Sequence, residues 1–537
     1  MKRAQPRLEL KLWTTFLLIS AVVIVITKQF FSFWRSQEAD IFPEQEPLLQ
    51  SGGRLDTWYP SKPAIPKWYY SPYNASWYMV RNYPQLVAIQ TAHFHPYANH
   101  IALVGMSSEI VHLYHRKNES DHVCGLYDAS GQLISVVETE FPARHLYHCP
   151  VKGPAGFAPS YVFMVLSEWA KEDRRLLADK SMGWRLPVVN LRTRAQEWKQ
   201  ILKQQSGENM ESAVGGRNVR RGDNFLAVCT GMLYRQQNLL LLMEFFQFFL
   251  LQGASKFELH QFEEIPASTH VAIEYYRQFA HFDTYWTEPD FEFCSYKRHN
   301  RQHPYCAQSM QDQNCVFRHA FRYRFLILCD YDELIQPADP EQILTSWLWN
   351  KLEVNGNNVA FKVFPKYRLT ESKQLSVQDL CHTSLSSYEI LQRHLPLLIY
   401  VNATKPVQHL LYASKMIVRP DWIREISVHH AISIYQKMNG SDRGHADISG
   451  EDFVEPIAPT KYTNVRVDPE KAVFMHHLKN RSEFRPYWRD NIPQYFYSMS
   501  PAEDHISHEF LEQLKLQLSA ALNYLRNHDF PDELQKV

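Results

Sequence analysis

Asp330-Tyr331-Asp332-Glu333 sets three carboxylates in one short stretch, directly behind the apolar run Phe325-Leu326-Ile327-Leu328-Cys329. An apolar run that stops abruptly in acids reads as a buried strand whose C-terminal tip offers carboxylates to a cleft. In open α/β sheets ligands bind just outside such tips. Two aspartates at i and i+2 there suit a divalent cation, which in turn can hold a diphosphate. Acid-x-acid pairs are common in solvated turns. It is the strand in front that makes Asp330 and Asp332 candidate metal ligands.

Hard divalent cations take oxygen ligands, and Mn²⁺ also accepts an imidazole. Two histidine pairs follow the acidic strand, His429-His430 and His476-His477, each behind a short apolar run. A single histidine is more often a hydrogen-bonded structural residue, so one of these closing the metal site is the sharper expectation. Arg419, in Lys415-Met-Ile-Val-Arg-Pro, and Lys479 carry cations able to meet a diphosphate. A carboxylate acting as general base must lie within hydrogen-bond reach of the proton it takes. Glu371, Asp379 and Asp490 are the candidates. Tyr487 and Trp488 suit stacking on a ligand, although core packing is their more ordinary role.

These residues need a scaffold. From residue 222 the sequence alternates strand and helix patterns. Residues 225–230 predict a first strand, 238–251 an intensely apolar helix ending at Gly253, 256–260 a second strand and 268–279 a second helix. A helix over 309–322 leads into the acidic-tipped strand, and 359–364 predict another strand. Such alternation implies an α/β fold with a largely parallel sheet. Residues 86–187 carry short alternating segments separated by turn residues, which predict a small β-sandwich-like accessory domain. Residues 188–221 read as a linker with a helical stretch at 193–205. Leucines at 511, 514, 518, 522 and 525 make 501–537 a docking C-terminal helix.

The ordered set Ala227-Val-Cys-Thr-Gly, Glu244, Asn314-Cys315, Asp330-Tyr-Asp-Glu with Pro337, Ile417-Val-Arg-Pro, Val428-His and His476-His-Leu-Lys resembles glycosyltransferase family 92 over about residues 222–495. The resemblance implies a GT-A-type, Rossmann-like nucleotide-sugar-binding domain over 222–500, in a type II Golgi enzyme. It implies metal-dependent, inverting transfer of galactose from UDP-galactose to a glycan, with fucose on N-glycan cores as acceptor. Asp330 and Asp332 match the family's metal and UDP motif. His477 matches its metal-site histidine, with Leu478 and Lys479 standing where the family has Tyr and Arg. Thr230 and Gly231 end the first strand, where GT-A enzymes hold the nucleotide.

The compartment is read from the N-terminus. Lys2, Arg3, Arg7 and Lys11 make residues 1–11 a basic cytosolic tail, 12–34 a transmembrane signal anchor and 35–85 a stem rich in Pro and aromatics. A cleaved signal peptide is the rival reading, but no small-x-small site follows the apolar run. The rest is then expected in the Golgi lumen, with sequons at Asn74, Asn118, Asn402 and Asn439. A fifth sequon, Asn480, lies three residues past His477 and is expected to be unmodified or to face away. All eight cysteines lie beyond the anchor, at spacings that match no zinc template. Cys124–Cys149 is the expected bridge. Cys294, Cys306, Cys315 and Cys381 are candidates for others, and Cys229 and Cys329 suit buried free thiols.

Equal numbers of basic and acidic residues, 57 each, give no footing for a nucleic-acid partner. The expected partners are a nucleotide sugar, a glycan acceptor and the membrane, with a homodimer left open. A lumenal metallohydrolase and a catalytically inactive glycan-binding protein stand as alternatives.

Overall fold

The computed structural model describes residues 69–70, 76–82, 85–96, 98–107, 122–143, 145–151, 157–166, 185–207, 224–233, 238–261, 265–286, 295–296, 301–302, 308–354, 359–370, 375–399, 402–403, 414–427, 430–437, 454–457, 464–466, 473–480, 500–501 and 506–528. All lie in one compact unit, Ile65–Val537. The expected anchor, Asn74, Asn118, Asn439, Glu371, Asp490, Tyr487, Trp488, Cys294 and Cys306 lie outside the described residues. Among the described residues no helix is long and apolar enough to cross a membrane.

The first part is all β: β1 (Tyr69–Tyr70), β2 (Ser76–Asn82), β3 (Gln85–His95), β4 (His100–Ser107), β5 (His122–Tyr127), β6 (Leu133–Glu138), β7 (Glu140–Ala143), β8 (Leu146–Pro150), β9 (Tyr161–Leu166) and β10 (Leu186–Asn190). They form one sheet whose main path runs β6-β5-β9-β10-β3-β4-β8-β7. Strands β5 and β8 stand five steps apart on that path, roughly 24 Å in a flat sheet. Yet Cys124 on β5 and Cys149 on β8 are disulfide-bonded with Cα atoms 6.1 Å apart. The sheet therefore rolls over on itself, around Ile89, Phe94, Leu103, Leu126, Tyr127 and Phe163.

Helix α1 (Arg192–Gly207) leads to the α/β part. There β11 (Leu226–Leu233), α2 (Leu239–Leu251), β12 (Lys256–Gln261), α3 (Ala267–Tyr276), β13 (His281–Trp286), α4 (Gln308–His319) and β14 (Phe325–Cys329) follow in turn. After β14 come β15 (Glu333–Pro337), α5 (Leu344–Val354), β16 (Ala360–Val363), β17 (Pro365–Thr370), α6 (Val377–His382), α7 (Ser387–His394), α8 (Pro396–Ile399), β18 (Lys415–Val418), β19 (Ile423–Ser427), β20 (His430–Lys437), β21 (Asn464–Arg466), β22 (Val473–Asn480) and α9 (His508–Arg526). The central sheet runs β13-β12-β11-β14-β18-β16-β21. Its first four strands are parallel, and β18 is antiparallel to both β14 and β16. The mixed α/β class expected from the alternating pattern is thus present, with an antiparallel strand beside the acidic one.

Helix α2 is apolar all round because it is buried all round. It is capped by the Asn238 side chain, which accepts from Leu241 N, and Gly253 behind it takes φ +93°, open to a residue without Cβ. Its phenylalanines pack on Phe257, Tyr276 and Phe282, while Phe248 meets Phe510 of α9. Leu514, Leu518, Leu522 and Leu525 of α9 are buried in the same core, at the helical spacing that docks one face. Glu244, fully buried within α2, accepts a hydrogen bond from Leu397 N at 3.0 Å, so this acid supports the first turn of α8.

Cys229 is not a free thiol. Helix α4 packs on β11 and brings Cys315 into a disulfide with it, Cα atoms 6.5 Å apart. Cys329 is a buried free thiol.

Candidate functional site

The strand order reverses between β11 and β14: β12 and β13 continue on one side of β11, while β14 begins the other. Such a switch leaves a crevice at the C-terminal strand ends, because the flanking helices depart to opposite faces. Thr230 and Gly231 lie there within β11, which runs on to Leu233, rather than at its end, and Asp330 follows β14. Thr230 pairs with Cys329 of β14, while against β12 the register of β11 shifts between Cys229 and Met232, the stretch that holds Thr230 and Gly231.

Gly231 is required by the closeness of Asp330. A Cβ built on Gly231 would collide with Asp330 Oδ1. Asp330 to Glu333 close a tight turn in which Glu333 N donates to Asp330 O at 3.0 Å and Asp330 N donates to Glu333 Oε2 at 2.7 Å. The carboxylate oxygens of Asp330, Asp332 and Glu333 lie within 4.8 Å of one another. Asp330 Oδ1 accepts from Gln308 Nε2 at 3.2 Å, and its Oδ2 accepts from Lys415 Nζ at 2.7 Å. Lys415 Nζ also reaches Glu333 Oε2 at 3.3 Å. Asp312, one turn along α4 from Gln308, completes the acidic set.

The charges are out of balance. Burial pushes the Asp312 carboxyl up to about 7, Lys415 opposing and Asp330 adding to the rise. Burial likewise pushes Glu333 upward against the pull of Lys415, with Asp330 and Asp332 adding their repulsion. Burial disfavours the Lys415 ammonium, but Asp330 and Glu333 outweigh it and hold its pKa well above the usual lysine range. Among the described residues the Lys415 ammonium thus faces the carboxyl groups of Asp330, Glu333 and Asp312, with Asp332 beside the first two. A hard, all-oxygen donor set with surplus negative charge fits a divalent cation. Thr230 Oγ1, buried at the crevice, has no hydrogen-bond partner among the described residues.

His477 reaches this place through the backbone: β22 pairs with β15, and His477 is the register partner of Glu333. Lys479 is two residues further along β22 and pairs with Leu369. Asn480 ends that strand opposite Thr370, and Asn402 sits in a two-residue strand pairing with Leu369 and Pro501.

Arg419 lies elsewhere. Strand β18 runs antiparallel to β14, with Val418 paired to Leu326. Arg419 is therefore level with Phe325, roughly 16 Å along the strand from Asp330, and its guanidinium lies 5.0 Å from the Trp422 ring. The expectation that Arg419 meets the diphosphate is corrected: Lys415, at the other end of β18, is the cation at the acidic tip. Asp379 is exposed and engaged in a capping box, its Oδ2 accepting from Ser376 N at 3.1 Å and Ser376 Oγ at 2.8 Å.

Sequence reading had no signal for Gln308 and Asp312. An i, i+4 polar pair inside a helix is ordinary, and only the packing of α4 on β14 gives it meaning. A second grouping of ligand-type side chains, Cys229, Glu258, Cys315 and His319, is fully buried. Its cysteines are bridged, and Glu258 is held by Arg318 at 2.6 Å, His319 at 2.9 Å and His260 at 3.1 Å. Burial alone would raise the Glu258 pKa, but Arg318 and both histidines carry it well below the usual range. This cluster is a structural ion network.

The sequence pattern of glycosyltransferase family 92 matches residues 224–522, more than half of the chain, and contains every residue of the acidic tip. The chain belongs to glycosyltransferase family 92. The family is one of glycosyltransferases. No curated protein sequence matches it. Among solved structures, that of glucosyl-3-phosphoglycerate synthase from Mycobacterium tuberculosis in complex with phosphoglyceric acid is similar at 13% identity and a TM-score of 0.19. The similarity covers 39% of this chain and 60% of that one, so the family 92 chain spans less than two thirds of its length. A likeness this shallow carries no argument about the site.

Proposed function

We propose that this family 92 chain is a metal-dependent, inverting galactosyltransferase of the Golgi lumen, with a GT-A catalytic domain preceded by a β-sandwich-like module. It takes UDP-galactose as donor and a glycan as acceptor, with fucose of an N-glycan core the expected acceptor sugar. The observation that carries this reading is the acidic tip at the topological switch: Asp330, Asp332 and Glu333 facing Thr230 and Gly231 across the strand ends.

In this reading Asp330 and Asp332, with His477 beside Glu333, hold Mn²⁺, which when bound supplies Lewis acidity to the donor's diphosphate. Gly231 lets the nucleotide edge and Asp330 approach each other. The buried Thr230 hydroxyl is free to bond the nucleotide. An acceptor hydroxyl attacks the anomeric carbon on the face opposite UDP, giving a β linkage from an α-linked donor. The charge that develops on the leaving diphosphate is met by positive groups, Lys415 among them. The N-terminal apolar stretch, the sequons and two disulfides support a lumenal, membrane-anchored enzyme.

The test is transfer from a panel of UDP-sugars with Mn²⁺ and with EDTA, for wild type and Asp332→Ala. Galactose transfer that collapses in EDTA and in the variant is expected. Full activity of Asp332→Ala would sink the metal proposal, and preference for another UDP-sugar would sink the donor assignment.

A further inference from the structure

Lys415 stands on the very oxygen that a metal ligand would use. Its Nζ lies 2.7 Å from Asp330 Oδ2 and 3.3 Å from Glu333 Oε2, with only 5% of its side chain exposed. An ammonium and a divalent cation compete for that oxygen, because like charges a few ångströms apart repel strongly where water is scarce. We propose that Lys415 is a tethered counter-cation of the acidic tip, one that holds Asp330 and Glu333 in place before metal binding and withdraws from Asp330 when Mn²⁺ binds. The inference rests on the metal-dependent reading above and goes beyond it.

Three features make the exchange workable. The lysine stem is unbranched and flexible, so its head group can swing without moving β18. The ammonium is held by β18 at the level of Cys329, so a short swing leaves it beside the crevice at the strand ends. Asp330 has a second anchor, Gln308 Nε2 on Oδ1 at 3.2 Å, which keeps the carboxylate oriented after Lys415 leaves. A displaced ammonium next to a metal is uncomfortable until a diphosphate arrives to bind both. Metal and donor should therefore strengthen each other's binding, and by linkage the two effects are equal in size.

The experiment is titration of Mn²⁺ into the full chain, followed by calorimetry and by the Mn²⁺ paramagnetic resonance signal, with and without UDP. Wild type, Lys415→Met and Lys415→Gln are compared, the glutamine variant retaining a hydrogen-bond donor for Asp330 should the methionine variant fail to fold. Removing the competing ammonium should tighten Mn²⁺ binding about tenfold without UDP. The further tightening caused by UDP should shrink in the same variants. Equal or weaker Mn²⁺ binding by a folded variant overturns the role given to Lys415 and leaves the metal site standing. No Mn²⁺ binding by wild type overturns the metal reading, and this inference with it.

Discussion

At the scale of residues, the site depends on close approach more than on any single charge. Gly231→Ala puts a methyl group where Asp330 Oδ1 lies, so the carboxylate must turn away. Since a misplacement near 1 Å can cost about 10²-fold in rate, transfer activity should fall by about that factor while the melting temperature barely moves. Steady-state kinetics beside a thermal melt would check it, and an unaffected rate would show that Asp330 does not need its present position. Asp379 makes the opposite case. Its capping box predicts that Asp379→Ala costs about 1 kcal/mol of stability, read from a denaturant melt, with transfer unchanged. A large rate loss would return this residue to the candidate bases. The acids at 330 and 332 were legible in sequence because an apolar strand announces its own end. The cation that meets them was not. Lys415 and Arg419 look alike in a sequence, and only the antiparallel sense of β18 decides which one faces the tip.

At the scale of elements, α4 is the part that sequence reading undervalued. It brings Gln308 and Asp312 to the acidic tip, is tied to β11 through Cys315–Cys229, and meets the β module through Asn314. The helix itself could be read from its pattern, and so could α2 and α9, whose apolar faces are long and regular. The disulfide could not, since its halves are 86 residues apart and Cys229 sits in a run that reads as plain strand. Closing so long a loop restricts the unfolded chain, so Cys229→Ala/Cys315→Ala should lose about 2–5 kcal/mol, measured by denaturant unfolding. Because Cys229 is two residues from Gly231, the same variant should lose transfer activity at temperatures where it is still folded. Glu244→Ala leaves the buried Leu397 N–H without its acceptor and should cost about 1–3 kcal/mol by the same measurement.

At the scale of the whole molecule, the β module and the α/β part meet through a polar, aromatic seam. Asn314 donates to Gln90 and accepts from Thr91, and Phe317 stacks on His93. Arg424 Nε donates to His148 Nδ1 at 3.0 Å, and its Nη2 meets Glu140 at 3.1 Å. The Tyr435 hydroxyl lies 2.9 Å from His100 Nε2, with His95 stacked on the Tyr435 ring. Burial holds His93 and His95 down at about 3, helped at His93 by Arg318 and Arg194. Burial, then the neighbouring histidines and Arg424, also hold His100 and His148 well below the usual value. These four stay neutral in the fold while the unfolded chain takes up protons below about pH 6.5. Stability held above that pH is therefore lost as pH falls toward 3, at up to about 1.4 kcal/mol per pH unit for each histidine. The melting temperature should drop steadily from pH 7 to pH 5, and a flat profile would mean that water reaches the seam. The pattern of short strands foretold a β module but not this contact, since the residues that make it are 200 or more apart in sequence.

A practical consequence follows for anyone shortening the gene. Severing the chain between residues 207 and 224 would leave Asn314, Arg424 and Tyr435 as orphans on a raw surface. The trimmed enzyme should come out of its host as inclusion bodies, and adding back the front half as a separate polypeptide should rescue some of it.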